Sequence, residues 1–173
     1  YYNKFTDSNP IAVDTGLIIK DKSSKSNHII LGDNSPYNLK SLKKHSQKIK
    51  FSTFWFPYNG YGQDYPLCYD NISFKDKKEI SMKLNLKREK ALLEAIKILS
   101  PKYLIPHSSD FSLNGPRRKE FYQVHNKEFF FKENYSKRIE SLSKIKAIAL
   151  FGNDSLTFSK TGLLIDKKTS FKD

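Results

Sequence analysis

Between Gly60 and Gly115 a Tyr- and Pro-rich loop, a long charged helix and the segment Pro101-Lys102-Tyr103-Leu104-Ile105-Pro106-His107 follow one another. Basic unstructured chains lack that order. It reads as loop, helix, buried strand and then a polar loop at the carboxyl end of the strand, the place where layered α/β folds put their chemistry. The chain is therefore expected to be an α/β protein, layered in the α+β sense, with its working residues in loops that follow strands.

The flanking sequence fits the same scheme. Val13 to Lys20 and His28 to Leu31 are β-type runs joined by the Ser- and Lys-rich stretch 21–27, a hairpin pattern, and Gly32-Asp33-Asn34-Ser35-Pro36 ends the second run in a turn. Leu39 to Ile49 has helical spacing, and Phe51 to Pro57 is an aromatic run suited to a buried strand. The stretch 58–71 holds Gly60, Gly62, Pro66 and the tyrosines Tyr58, Tyr61, Tyr65 and Tyr69 without any period. Ser73 with Asp76 three residues on is a helix opening, Leu92, Ala95, Ile96 and Leu99 form an apolar stripe, and Ser100-Pro101 stops the helix. His125 to Leu142 reads as a second helix and Ile145 to Phe151 as another strand. In Phe129-Phe130-Phe131 three adjacent rings cannot share one helix face, so some belong to the core.

Length and composition bound the rest. A chain of 173 residues suits one domain, expected over residues 1–165 with a loosely held tail at 166–173. Aromatic residues make up 14% of the chain, which argues against disorder across its middle. The net charge of +13 would draw nucleic acid, anionic lipid or an acidic metabolite without choosing among them. Only four of the 31 basic residues are arginine, and base-edge recognition favours the arginine fork, so nucleic acid is the less favoured partner. Cys68 is the only cysteine, which excludes an internal disulfide and fits a reducing, cytoplasmic setting. No run is apolar and long enough to cross a bilayer, so no membrane partner is expected. The first residue is Tyr1 rather than Met, from which an upstream segment is expected.

The strand pair ending in Gly32-Asp33, the loop Gly60-Tyr61-Gly62 through Tyr65-Pro66-Leu67-Cys68-Tyr69, the run Lys87-Arg88-Glu89-Lys90-Ala91-Leu92, Pro101 to Pro106, Asn114-Gly115 and Gly152 to Leu156 ahead of a final hairpin resemble the metallo-β-lactamase-fold hydrolases. The likeness is to the branch with CMP-N-acetylneuraminate hydroxylase-like and lactonase-like proteins. It covers what would be the C-terminal half of that fold, a partial αββα sandwich of two mixed sheets with helices outside. The resemblance implies that Asp33 is the carboxylate that bridges two metals or binds the second one, and His107 the last histidine ligand. It also implies a substrate wall of Tyr61, Tyr65, Tyr69, Ser108, Asp110 and Asn114, with Lys102, Arg117 and Arg118 favouring an anionic substrate.

The signature His-x-His-x-Asp-His is absent: His28, His45 and His125 stand isolated. A hydrolytic zinc site takes about three protein ligands and an open position for water. Asp33 and His107 fall short of that. The resemblance thus implies a divalent metal, zinc with iron or manganese as alternatives, for a complete protein that includes the missing N-terminal half of the domain. This chain alone is expected to bind metal weakly or not at all and to be inactive. The complete protein would hydrolyse an ester, lactone or phosphoester of an anionic small molecule. A basic nucleic-acid-binding module and a non-catalytic, partner-binding remnant are the alternative readings.

Overall fold

A computed structural model describes residues 2–3, 16–32, 39–58, 69–108, 116, 118–159 and 162–167. Five strands form one mixed sheet in the order β1 (Tyr2–Asn3), β2 (Gly16–Asp21), β3 (Ser26–Ile30), β4 (Thr53–Pro57) and β5 (Tyr103–His107). The β1–β2 and β2–β3 pairs are antiparallel, whereas β3–β4 and β4–β5 are parallel. Parallel neighbours need a crossover, and α1 (Leu39–Ser46) and α2 (Phe74–Leu99) supply the two. The chain is an α/β protein, as its loop–helix–strand order implies.

Side chains alternate across a strand, so each face of this sheet has its own character. Ile29, Leu31, Phe54, Phe56 and Leu104 point to the helix side and join Leu42 of α1 and Leu92, Ala95, Ile96 and Leu99 of α2 in one core. Ser26, His28, Thr53, Trp55, Ile105 and His107 take the opposite face. A final hairpin of β6 (Ser155–Ser159) and β7 (Gly162–Asp166) sets its half-buried Leu156, Phe158, Leu163 and Ile165 on one side, and the Phe158 ring lies 4.5 Å from that of His28.

The ends of α2 follow from local chemistry. Ser73 caps it by accepting from the Asp76 amide at 3.2 Å, and Ser100 closes it at φ 42° with its amide on the Ile96 carbonyl at 2.8 Å. Proline then forbids another turn. The first half of the helix holds a surprise, because Lys77, Ser81, Asn85 and Glu89, four residues apart, are all buried. Lys77 pairs with Glu120 at 2.9 Å, Ser81 bonds the His125 ring at 3.2 Å, and Glu89 holds the guanidinium of Arg138 through both carboxylate oxygens. Those pairings hold the later helices against α2.

Two expected elements differ. The single helix expected at His125 to Leu142 is two pieces, α4 (Lys127–Phe130) and α5 (Lys132–Ser143), and a further helix, α3 (Arg118–Val124), precedes them. Asn126 stops one and starts the next by accepting from the Glu128 amide at 2.9 Å, and Phe131 turns extended at φ −88°, ψ 130°. Phe129 and Phe130 enter the core while Phe131 stays 39% exposed. The expected strand Ile145 to Phe151 touches β5 in parallel only around Leu104 and Ala147, through Leu104 N to Lys146 O at 2.9 Å and Ile148 N to Leu104 O at 2.8 Å. Beyond that bridge the peptide groups turn elsewhere; Lys132 Nζ takes the Leu150 carbonyl at 3.0 Å. The β7 strand also runs to Asp166, one residue into the expected loose tail.

Candidate functional site

The carboxyl ends of β3, β4 and β5 lie along one edge of the sheet, since the three strands are parallel neighbours. Each end leads into a loop that carries residues expected to do chemistry. Leu31-Gly32 precedes Asp33, Tyr58 opens the stretch with Tyr61, Tyr65 and Tyr69, and His107-Ser108 precedes Asp110 and Asn114. Asp33, Tyr61, Tyr65, Asp110, Asn114 and Arg117 lie outside the described residues. Among the others, Tyr69 is 58% exposed just ahead of α2, and His107 and Ser108 are half-buried at the rim.

His107 ties the rim together. Its Nε2 lies 2.6 Å from the Leu31 carbonyl, reaching past β4 to the strand end that leads to Asp33. A carbonyl oxygen only accepts, so Nε2 carries the proton and Nδ1 is the nitrogen with an in-plane lone pair in the neutral ring. The Ser108 hydroxyl sits 3.3 Å from Nδ1, in a residue whose φ of 81° an L side chain rarely adopts. Metal-binding histidines share the first half of this arrangement, one ring nitrogen donating to a backbone carbonyl, whereas the second nitrogen of His107 meets Ser108.

As for a metal, the donor set is short. Among the described residues no three His, Cys, Asp or Glu side chains gather into a group that could hold an ion. His107 is the described donor at the rim, and one imidazole does not make a hydrolytic zinc centre. Lys102 does not join this site: it precedes β5 at the other end of the strand, about 15 Å away at the rise of an extended chain, so it cannot greet an anion at the rim.

The other histidines have different surroundings. His28 is buried midway along the same sheet face, in a chain that fixes every proton. Ser24 donates to the Asp21 carboxylate, so the 2.6 Å contact between Ser24 and Ser26 needs the proton of Ser26. Ser26 therefore accepts from His28 Nε2–H at 2.8 Å, and Nδ1 accepts from the Thr53 hydroxyl at 2.8 Å, while Trp55 Nε1 donates to that hydroxyl at 2.9 Å. Burial lowers the pKa of His28, with Asp21 opposing, and the serine hydrogen bonds hold the Asp21 carboxyl well below the usual carboxylate range. His125, packed 4.5 Å from the Phe121 ring, is pushed down to about 4 by burial. In the last turn of α1, burial and then the charges of Lys44 and Lys48 lower the pKa of His45.

Sequence reasoning picked out His107 and Ser108 but missed what orients them. The Leu31 carbonyl is backbone and leaves no residue-type signal. Comparison with protein-family models, with curated proteins and with solved structures finds no match.

Proposed function

We propose that the chain works at the carboxyl rim of β3–β5, as a hydrolase-type domain of metallo-β-lactamase-like build that binds an anionic small molecule bearing an ester, lactone or phosphoester. The observation that carries this reading is the 2.6 Å contact of His107 with Leu31, which joins two of three loops rich in candidate residues at one edge. In this reading a ligand atom takes the place of the Ser108 hydroxyl at His107 Nδ1, Asp33 supplies an oxygen two residues beyond Leu31, and the tyrosines after β4 flank the bound molecule with flat faces and hydroxyl donors. A complete hydrolytic metal centre takes at least one donor beyond Asp33 and His107, and the residues here supply binding and orientation rather than a whole catalytic set.

Zinc alone is the direct probe. Calorimetric titration of the chain with Zn²⁺ should show weak binding that falls at least tenfold in His107→Ala and in Asp33→Ala. Equal binding by all three proteins, or none by the unaltered chain, removes these two residues from a shared metal site.

A further inference from the structure

The outer surface of the α1–α2 layer carries two rows of exposed lysines. Residues 39–58 contain Lys40, Lys43, Lys44, Lys48 and Lys50 and no Asp or Glu. All five lysines are exposed, and Lys40, Lys43 and Lys44 lie on the side of α1 turned away from buried Leu42. On α2, Lys83, Lys87, Lys90 and Lys97 form an exposed stripe on the side turned away from Leu92 and Leu99. The two helices pack side by side on one face of the sheet, so both rows look outward from the same layer. Asp76, Glu79 and Glu94 are exposed acidic residues on the same side of α2. Burial, and after it the charges of Lys44 and Lys48, lowers the proton affinity of half-buried His45 on α1.

We propose that this face docks on the phosphate backbone of a nucleic-acid duplex without reading its sequence. Lysine suits that task, since phosphate contacts position a protein and carry no sequence information. The rows contain no arginine fork for base edges and no aromatic ring for stacking single-stranded bases. A membrane surface fits less well, because the apolar sides of both helices are spent on the core and Leu86, 45% exposed, is the large apolar residue near the α2 stripe.

The test is fluorescence anisotropy of a labelled mixed-sequence 24-base-pair duplex with the full chain. Binding on the order of micromolar at low salt should weaken steeply as salt rises. Lys40→Gln/Lys43→Gln/Lys44→Gln should lose about tenfold or more and flatten the log–log salt slope by about one per lysine, and Lys83→Gln/Lys87→Gln/Lys90→Gln should behave alike. The exposed lysines 119, 127 and 146, changed together to Gln, remove the same charge elsewhere and should cost less than threefold. No duplex binding at low salt, an equal loss in that control, or tighter binding to phosphatidylserine vesicles or poly-glutamate than to the duplex would each overturn the proposal. Circular dichroism of the variants separates lost docking from lost folding.

Discussion

His28 and His107 sit on the same face of one sheet, separated by the row Ile30, Trp55 and Ile105, yet their surroundings differ in kind. Every ring proton of His28 is assigned to a neighbour within the β2–β4 network and its ring is covered by Phe158. His107 is anchored on one nitrogen by a backbone carbonyl and meets at the other a serine held at a strained φ, beside the loops that leave the sheet. The difference shows what burial does to a polar residue. Deep in the sheet, an unsatisfied group is so costly that partners fix it completely; at the half-buried rim, a backbone carbonyl orients one ring nitrogen and the Ser108 hydroxyl meets the other at the longer distance of 3.3 Å.

Mutation should separate the two most sharply. His28→Ala leaves buried Thr53 and Ser26 without their partner and should cost about 3 kcal/mol in chemical denaturation, while His107→Ala, at a half-buried position, should cost about 1 kcal/mol. Equal costs would erase the distinction. Acid should sharpen it next. Folded His125, at about 4, and folded His28 both lie below the unfolded value of 6.5, so their contribution to stability is complete above pH 6.5 and is lost as pH falls from there toward about 4. The loss from His125 is on the order of 2–3 kcal/mol, and urea midpoints measured between pH 7 and pH 4 should fall accordingly; His125→Phe should flatten that decline. A midpoint that rises on acidification contradicts the burial argument. The smallest effect belongs to the rim: Ser108→Gly relieves the positive φ and should raise stability by less than about 1 kcal/mol.

The elements that sequence made legible are those whose cause is local. Ser73 and Asp76 begin α2, Ser100-Pro101 ends it, and Leu92 to Leu99 turn its second half inward, all within reach of one helix. The α/β class follows from the order of such pieces. What was hidden depends on partners remote in the chain. No local pattern marks Lys77, Ser81 and Glu89 as buried; Glu120, His125 and Arg138 come to meet them from later helices. His28 looked isolated because Asp21, Ser24 and Thr53 carry no metal or catalytic spacing; a hairpin and a parallel pairing bring them together. At the rim, His107 was legible as a polar residue after a strand, whereas its anchor on Leu31 was not, since only the sheet sets that contact.

The rim, rather than the buried network, is the surface proposed to meet a ligand. Nitrogen-15 spectra of the histidine rings, recorded at pH 7.5 as Zn²⁺ is added, test this directly. The prediction is that the His107 Nδ1 resonance moves with zinc while the ring resonances of His28 and His125 stay in place. Zinc that shifts His28 or His125 and leaves His107 unmoved would contradict it.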